Sequence, residues 1–410
     1  MSRPKRIVWL LLAAALVPGV AMASGVSETF TQTSLLLILM ITLADICGFL
    51  FERLGMAEIL GEIYAGIMLG NLALVGIDFD LSDLLRNSEF MVYSSELALV
   101  LLLFIVGLES NIRDLLRVGR NALAVALSGV ILPVLFGLGA GAVLGYGMGL
   151  QGWFVGAMLA ATSVGITAKL LGDNGLVNTR SARVILAAAV IDDVLGILLL
   201  AVLASVVVTG QVSTPELVWI VAKALLFFIG ALLVGQRLMP GVVRIISLNE
   251  HSSVWTGFAL CLALGFAQLA HFAGLAPLIG AFIAGLLLDD VDFQVGHALQ
   301  KHRLEELVKP ISDIMLTIFF VSIGAQVQLQ SLADPKILLI IGSLTVIAIA
   351  SKGLAGYAVQ GRGFDRRGIG YGMIPRGEVG LVFAAFAFSH HVFSADMYSA
   401  LVVVVLLTTL

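Results

Sequence analysis

Asp192 and Asp193 stand side by side in Ala187-Ala188-Ala189-Val190-Ile191-Asp192-Asp193-Val194-Leu195-Gly196, a stretch otherwise without charge. A carboxylate held at the middle of a hydrocarbon layer costs at least about 2.5 to 3.5 kcal/mol on insertion scales, which marks it as a candidate for ion or proton handling. Successive helical residues point about 100° apart, so the two carboxylates address different partners: one can be tied to a fixed cation while the other faces a water-filled cavity. The cation on offer is Lys352, in Ile349-Ala350-Ser351-Lys352-Gly353-Leu354. At a depth of about 12 Å it either pairs with an aspartate or snorkels to the interface, and that long reach favours pairing. Lys223 is shallower and reads as a snorkelling residue.

Two other segments carry helix breakers at corresponding depths: Ala161-Thr162-Ser163-Val164-Gly165-Ile166-Thr167 and Met373-Ile374-Pro375-Arg376-Gly377-Glu378-Val379-Gly380. Interruptions there would free backbone carbonyls and turn half-helix ends toward the bilayer centre, a construction that recurs at transporter sites. Arg376 and Glu378 are expected to neutralise each other as a structural ion pair. Asp45, Glu58, Glu62, Glu96 and Asp313 lie nearer segment ends and are expected to be solvated or to line funnels.

The elements that must position these groups follow from composition. The chain has 410 residues, of which 60% are hydrophobic and only 12% charged, with a mean hydropathy of +1.06. Soluble domains carry about 25% charged residues, so this is an all-α polytopic membrane protein. A net charge of -4 without a basic stripe offers nothing to nucleic acid. Cys47 and Cys261 lie in apolar runs and suggest ordinary packing. Residues 1–23, with Arg3, Lys5 and Arg6 ahead of an apolar run and Ala21-Met22-Ala23, have the layout of a cleavable signal peptide or of a first helix. Thirteen spans are expected, at about 32–52, 57–74, 91–109, 121–145, 152–171, 181–208, 216–236, 253–270, 274–289, 306–326, 336–360, 367–389 and from 396. Leu410 falls within the last, so the natural chain is expected to run on.

Basic residues support that count, because they collect on the cytoplasmic side. Alternate loops hold Arg53; Arg113, Arg117, Arg120; Lys169, Arg180, Arg183; Arg237, Arg244; Lys301, Arg303; and Arg362, Arg366, Arg367, against only Arg86 and Lys336 in the others. The N-terminus is therefore expected outside and the C-terminus in the cytoplasm. Asp78, Asp80, Asp83 and Glu89 fall in one outer loop as a solvated face. An internal echo pairs Gly61–Leu69 with Gly280–Leu288, Phe104–Gly107 with Val321–Gly324, and Val164–Ile166 with Val379–Leu381. Each pair lies seven spans apart. An odd separation reverses direction through the bilayer, which makes these inverted-topology repeats and points to alternating access.

The aspartate pair with its flanks, both breaker segments, Ser351-Lys352-Gly353 and Phe319-Phe320-Val321-Ser322-Ile323-Gly324 together resemble the monovalent cation:proton antiporter-2 family, close to bacterial sodium/proton antiporters, over nearly the whole chain from about residue 35. The resemblance implies a homodimer in the bacterial inner membrane, with two unwound helices crossing near the aspartates. It assigns 24–410 to one transmembrane antiporter domain, with 32–109 and 253–326 as the dimerisation part, 121–208 and 336–410 as a mobile core, and 216–236 as a linker helix. It makes Asp193 the main ligand of the transported Na⁺ and of protons, joins Asp192 to Lys352, and implies electrogenic exchange with no cofactor beyond Na⁺ and H⁺. The remaining oxygens around the cation could come from Thr162, Ser163, freed carbonyls and water, as for other hard cations. A K⁺/H⁺ exchanger or potassium-efflux type transporter on the same scaffold is the alternative. An intramembrane aspartyl protease is remote, since its dyad needs two carboxylates sharing a proton across about 3 Å, whereas adjacent helical residues diverge.

Overall fold

A computed structural model describes residues 28–75, 85, 89–109, 119–173, 176, 179–209, 214–246, 248, 251–294 and 304–410. The signal segment, Asp78, Asp80, Asp83, Arg86, Arg113, Arg117, Lys301 and Arg303 lie outside the described residues. Fifteen α-helices run through the described chain and no strand occurs among those residues. They are α1 Glu28–Arg53, α2 Glu58–Gly70, α3 Glu89–Glu109, α4 Arg120–Leu144, α5 Leu150–Ala160, α6 Val164–Asp173, α7 Arg180–Thr209 and α8 Thr214–Ile246. After these come α9 Ser252–Phe272, α10 Pro277–Gln294, α11 Leu304–Gln326, α12 Pro335–Ala355, α13 Arg366–Gly372, α14 Glu378–Ser389 and α15 Ala395–Thr409. Among the described residues, eight helices are long and apolar enough to cross a membrane, and four more apolar helices are shorter. The molecule is a multi-pass membrane protein.

Two of the expected spans are split. The segment at 152–171 is α5 and α6 with Ala161–Ser163 between them, and the segment at 367–389 is α13 and α14 with Met373–Gly377 between them. Helix α8 departs from expectation in the other direction, running to Ile246 rather than stopping near 236. Arg237 reads as a loop residue in the sequence, but Met239 and Val243 are buried, so packing carries the helix past that polar break.

The described residues form two compact units, one within 1–98 and 311–334, the other within 99–310 and 335–410. In the first, Leu36, Met40, Ala44 and Cys47 of α1 pack with Ala65, Leu69, Ile318, Val321 and Ala325. Here α2 crosses α11 with glycine against glycine: a Cβ on Gly66 would run into the Val321 carbonyl and one on Gly324 into that of Ile63. The second unit contains the same crossing between α3 and α10, where a Cβ on Gly107 would meet the Phe282 carbonyl and one on Gly285 that of Phe104. Gly66 corresponds to Gly285 in the repeat, and Gly107 to Gly324. The internal echo is thus a repeated helix contact in which only glycine allows the backbones to approach so closely. Packing groups α9 and α10 with the second unit, whereas the resemblance joins 253–326 to 32–109.

The apolar centre of the second unit joins α4, α6, α7 and α13 through Val125, Ala126, Leu171, Ile185, Ala188, Ala189, Ile369 and Met373. Alanines at 188 and 189, one turn before the aspartates, let α7 sit close to these neighbours. Cys47 is buried and Cys261 exposed, and both are free thiols.

Candidate functional site

The two interruptions touch. Ser163 N–H donates to the Pro375 carbonyl at 3.0 Å, and Thr167 Oγ1 donates to that of Gly372 at 3.0 Å. A Cβ on Gly377 would stand 2.6 Å from Ser163 Cβ, so glycine is what lets the second break lie on the first. Ser163 Oγ accepts from Ile166 N–H at 3.4 Å, capping α6. Carbonyls and amides left over by two broken helices therefore satisfy one another in part, which is how irregular backbone survives at membrane depth.

Beside this crossing lies a buried ion pair. Lys352 Nζ is 2.6 Å from Asp192 Oδ2, and both side chains are 0% exposed. Thr162 Oγ1 donates to the same carboxylate oxygen at 2.9 Å and stands 3.3 Å from the Met373 carbonyl. With one hydroxyl proton, Thr162 serves one acceptor at a time, and the charged one is nearer. Asp192 Oδ1 has no hydrogen-bond partner. Asp193, one position on, is also buried, and its charge is felt by Lys352. The structure thus brings together Thr162, Asp192 and Lys352, with Asp193 adjoining and Ser163 engaged as a helix cap.

Arg376 and Glu378 form no ion pair with each other, which corrects the sequence expectation. Arg376 is 1% exposed; its Nη1 donates to the Ala161 carbonyl at 2.5 Å and its Nη2 to that of Ala348 at 3.4 Å. Ala161 is the residue at which α5 stops, so the guanidinium from the second break serves the negative, carbonyl-bearing end left by the first. Glu378 is the first residue of α14, where a carboxylate meets the positive end of a helix. Each charge answers a helix terminus created by the interruptions. Charge sign and spacing gave no hint of this, because the acceptors are backbone groups 28 and 215 residues away.

The model of the family described as "Sodium/hydrogen exchanger, transmembrane" matches residues 7–410. The chain belongs to that family. It is 33% identical over 390 residues to the high-affinity Na⁺/H⁺ antiporter NhaS3 of Synechocystis, covering 87% of this chain and 83% of that one. It is 34% identical over 388 residues to the Na⁺/H⁺-K⁺ antiporter GerN of Bacillus cereus, covering 93% and 94%. Among solved structures, the sodium proton antiporter MjNhaP1 of Methanocaldococcus jannaschii shares the fold, with a TM-score of 0.68, 19% identity, and coverage of 93% and 95%.

One residue of this exchanger escaped the sequence reading. Gly129 of α4 faces the ion pair: a Cβ there would lie 3.1 Å from Lys352 Nζ and 3.6 Å from each carboxylate oxygen of Asp192. In a chain with 44 glycines, no local signal separates Gly129 from those that merely suit a membrane helix. Its neighbour Ser128 turns back onto its own helix, donating to the Ala124 carbonyl at 2.6 Å.

Proposed function

We propose that the protein exchanges Na⁺ for H⁺ across the membrane at Asp193, with Asp192 held in its charged form by Lys352. The observation that carries this reading is the commitment of Lys352 and Thr162 to Asp192, beside two helix interruptions that meet at the same place. That arrangement supports the neighbouring carboxylate as the exchangeable charge. A carboxylate reached by water holds a proton or a hard cation but not both, and this exclusion is what couples the two flows. The Thr162 oxygen, Ser163 and carbonyls at the breaks are the oxygens from which a cation shell would be completed.

Family membership and the antiporter relatives support exchange as the activity. We assign 121–208 and 336–410 to a core that moves, 32–109 and 253–326 to a dimerisation part, and 216–236 to a linker, giving an elevator-like cycle in a homodimer. Arginine placement supports an outside N-terminus and a cytoplasmic C-terminus in a bacterial inner membrane. The test is flux in proteoliposomes with an imposed pH gradient. Asp193→Asn keeps the volume and removes both the titrating group and the anionic ligand, so it should yield a folded protein without coupled Na⁺ flux. A flux near that of the wild type would overturn the assignment. K⁺ exchange is the second reading, favoured by the relative named as a Na⁺/H⁺-K⁺ antiporter. The same assay with K⁺ replacing Na⁺ separates the two.

A further inference from the structure

Six exposed arginines, Arg120, Arg180, Arg183, Arg362, Arg366 and Arg367, belong to three chain segments far apart in sequence. The structure fastens these segments together at one end of the second unit. Asn121 and Gln360 exchange two hydrogen bonds, Nδ2 to the Gln360 carbonyl at 3.0 Å and Gln360 N–H to Oδ1 at 2.9 Å. Asp365 N–H donates to Ser181 Oγ at 3.0 Å. Every one of the six therefore lies within about three residues of one of these two clamps. The acid within the last segment, Asp365, is used internally, accepting Gly368 N–H at 2.9 Å as the cap of α13.

Two tyrosines share this end. Tyr357 is 53% exposed and Tyr371 63% exposed, and both lie within electrostatic reach of Arg367. Helices α4 and α7 enter their apolar runs directly after Arg120 and Arg183, which places the arginines at headgroup depth. One-sided accumulation of basic residues accounts for arginines in a loop. It gives no reason for three loops to be clamped into a single surface, or for exposed tyrosines to be set among them. Guanidinium groups bind phosphate oxygens in a forked, bidentate way, and tyrosine prefers the layer where headgroups meet acyl chains.

We propose that this arginine–tyrosine end of the second unit binds the headgroups of anionic phospholipids. The full chain, purified in neutral detergent, is titrated with a short-chain phosphatidylglycerol while thermal unfolding is followed. Phosphatidylglycerol should raise the unfolding temperature and phosphatidylcholine should not. Replacing Arg362, Arg366 and Arg367 together by alanine should raise the half-saturating concentration on the order of a hundredfold, at roughly fivefold per arginine. Equal half-saturation in the variant and the wild type would overturn the proposal. So would equal stabilisation by phosphatidylcholine, or full stabilisation by inorganic phosphate alone, which would mark a site for free anions. The wild type supplies an arm that needs no variant: phosphatidylglycerol stabilisation should weaken strongly as salt rises from about 0.1 to about 0.5 M. A salt-independent effect would mean that acyl chains, not headgroups, are recognised.

Discussion

Lys352 and Asp192 are each fully buried, so each is tolerable only because the other is there. Removing one charge leaves its partner uncompensated in low dielectric, and Lys352→Ala should destabilise the protein by about 3 to 5 kcal/mol. Adding Asp192→Asn should recover part of that loss, whereas strictly additive losses in thermal unfolding would show that the two groups do not depend on each other. Gly129 bears on the same ion pair. In Gly129→Ala the new methyl stands 3.1 Å from Nζ and crowds the pair, for an expected loss of about 1 to 3 kcal/mol. In the Lys352→Ala background the crowded atom is absent, so the loss should shrink. An equal loss in both backgrounds would place the effect of Gly129 elsewhere. The aspartates and the lysine were legible in the sequence because charge inside an apolar run is costly whatever surrounds it. Gly129 and the true acceptors of Arg376 were not, because a sequence reports depth along a helix far better than it reports which neighbour each side faces.

Helix contacts show the same division between what a linear pattern carries and what it leaves out. Breakers in Ala161–Ser163 and Met373–Gly377 could be read directly, since Thr-Ser and Pro-Arg-Gly stretches weaken an α-helix locally. That Ser163 N–H would find the Pro375 carbonyl could not, as it depends on how two distant segments pack. The repeat glycines stand between these cases: their correspondence was visible in sequence, but their mutual contact emerged only in the fold. Gly66→Ala and Gly285→Ala, one in each unit, would each drive a methyl into a facing carbonyl. Each should lower stability by about 1 to 3 kcal/mol or more, as overpacking does. Gly139→Ala and Gly230→Ala serve as controls, since a Cβ at either position meets nothing within 4 Å. These should be neutral or stabilising, because alanine favours a helix by about 1 kcal/mol over glycine. Thermal unfolding of the four variants checks the contrast, and equal losses at crossing and control positions would dismiss the glycine crossings as sources of specificity.

Coupling belongs to the whole molecule, because it depends on how many protons leave when one cation enters. If Na⁺ displaces a single proton from Asp193, its apparent dissociation constant should rise by about tenfold for each unit of pH below the range in which the carboxylate is ionised. Release of a second proton, from Lys352, would steepen that limit to about a hundredfold per unit. The direction is the same in both cases: acid weakens Na⁺ binding. Na⁺ titrations followed by thermal stabilisation across pH measure the slope, and an affinity independent of pH would defeat the shared site. The steeper slope has an electrical consequence. Two protons exchanged for one Na⁺ move one net charge per cycle, which a membrane potential drives by about 2.3 kcal/mol per 100 mV. An inside-negative potential would then draw protons inward and push Na⁺ out with no pH difference at all. In proteoliposomes at equal pH, with the potential set by K⁺ and valinomycin, the expected result is Na⁺ movement that follows the imposed voltage. Absence of that movement, together with a tenfold slope, would fix the exchange at one for one and leave Lys352 a purely structural partner of Asp192.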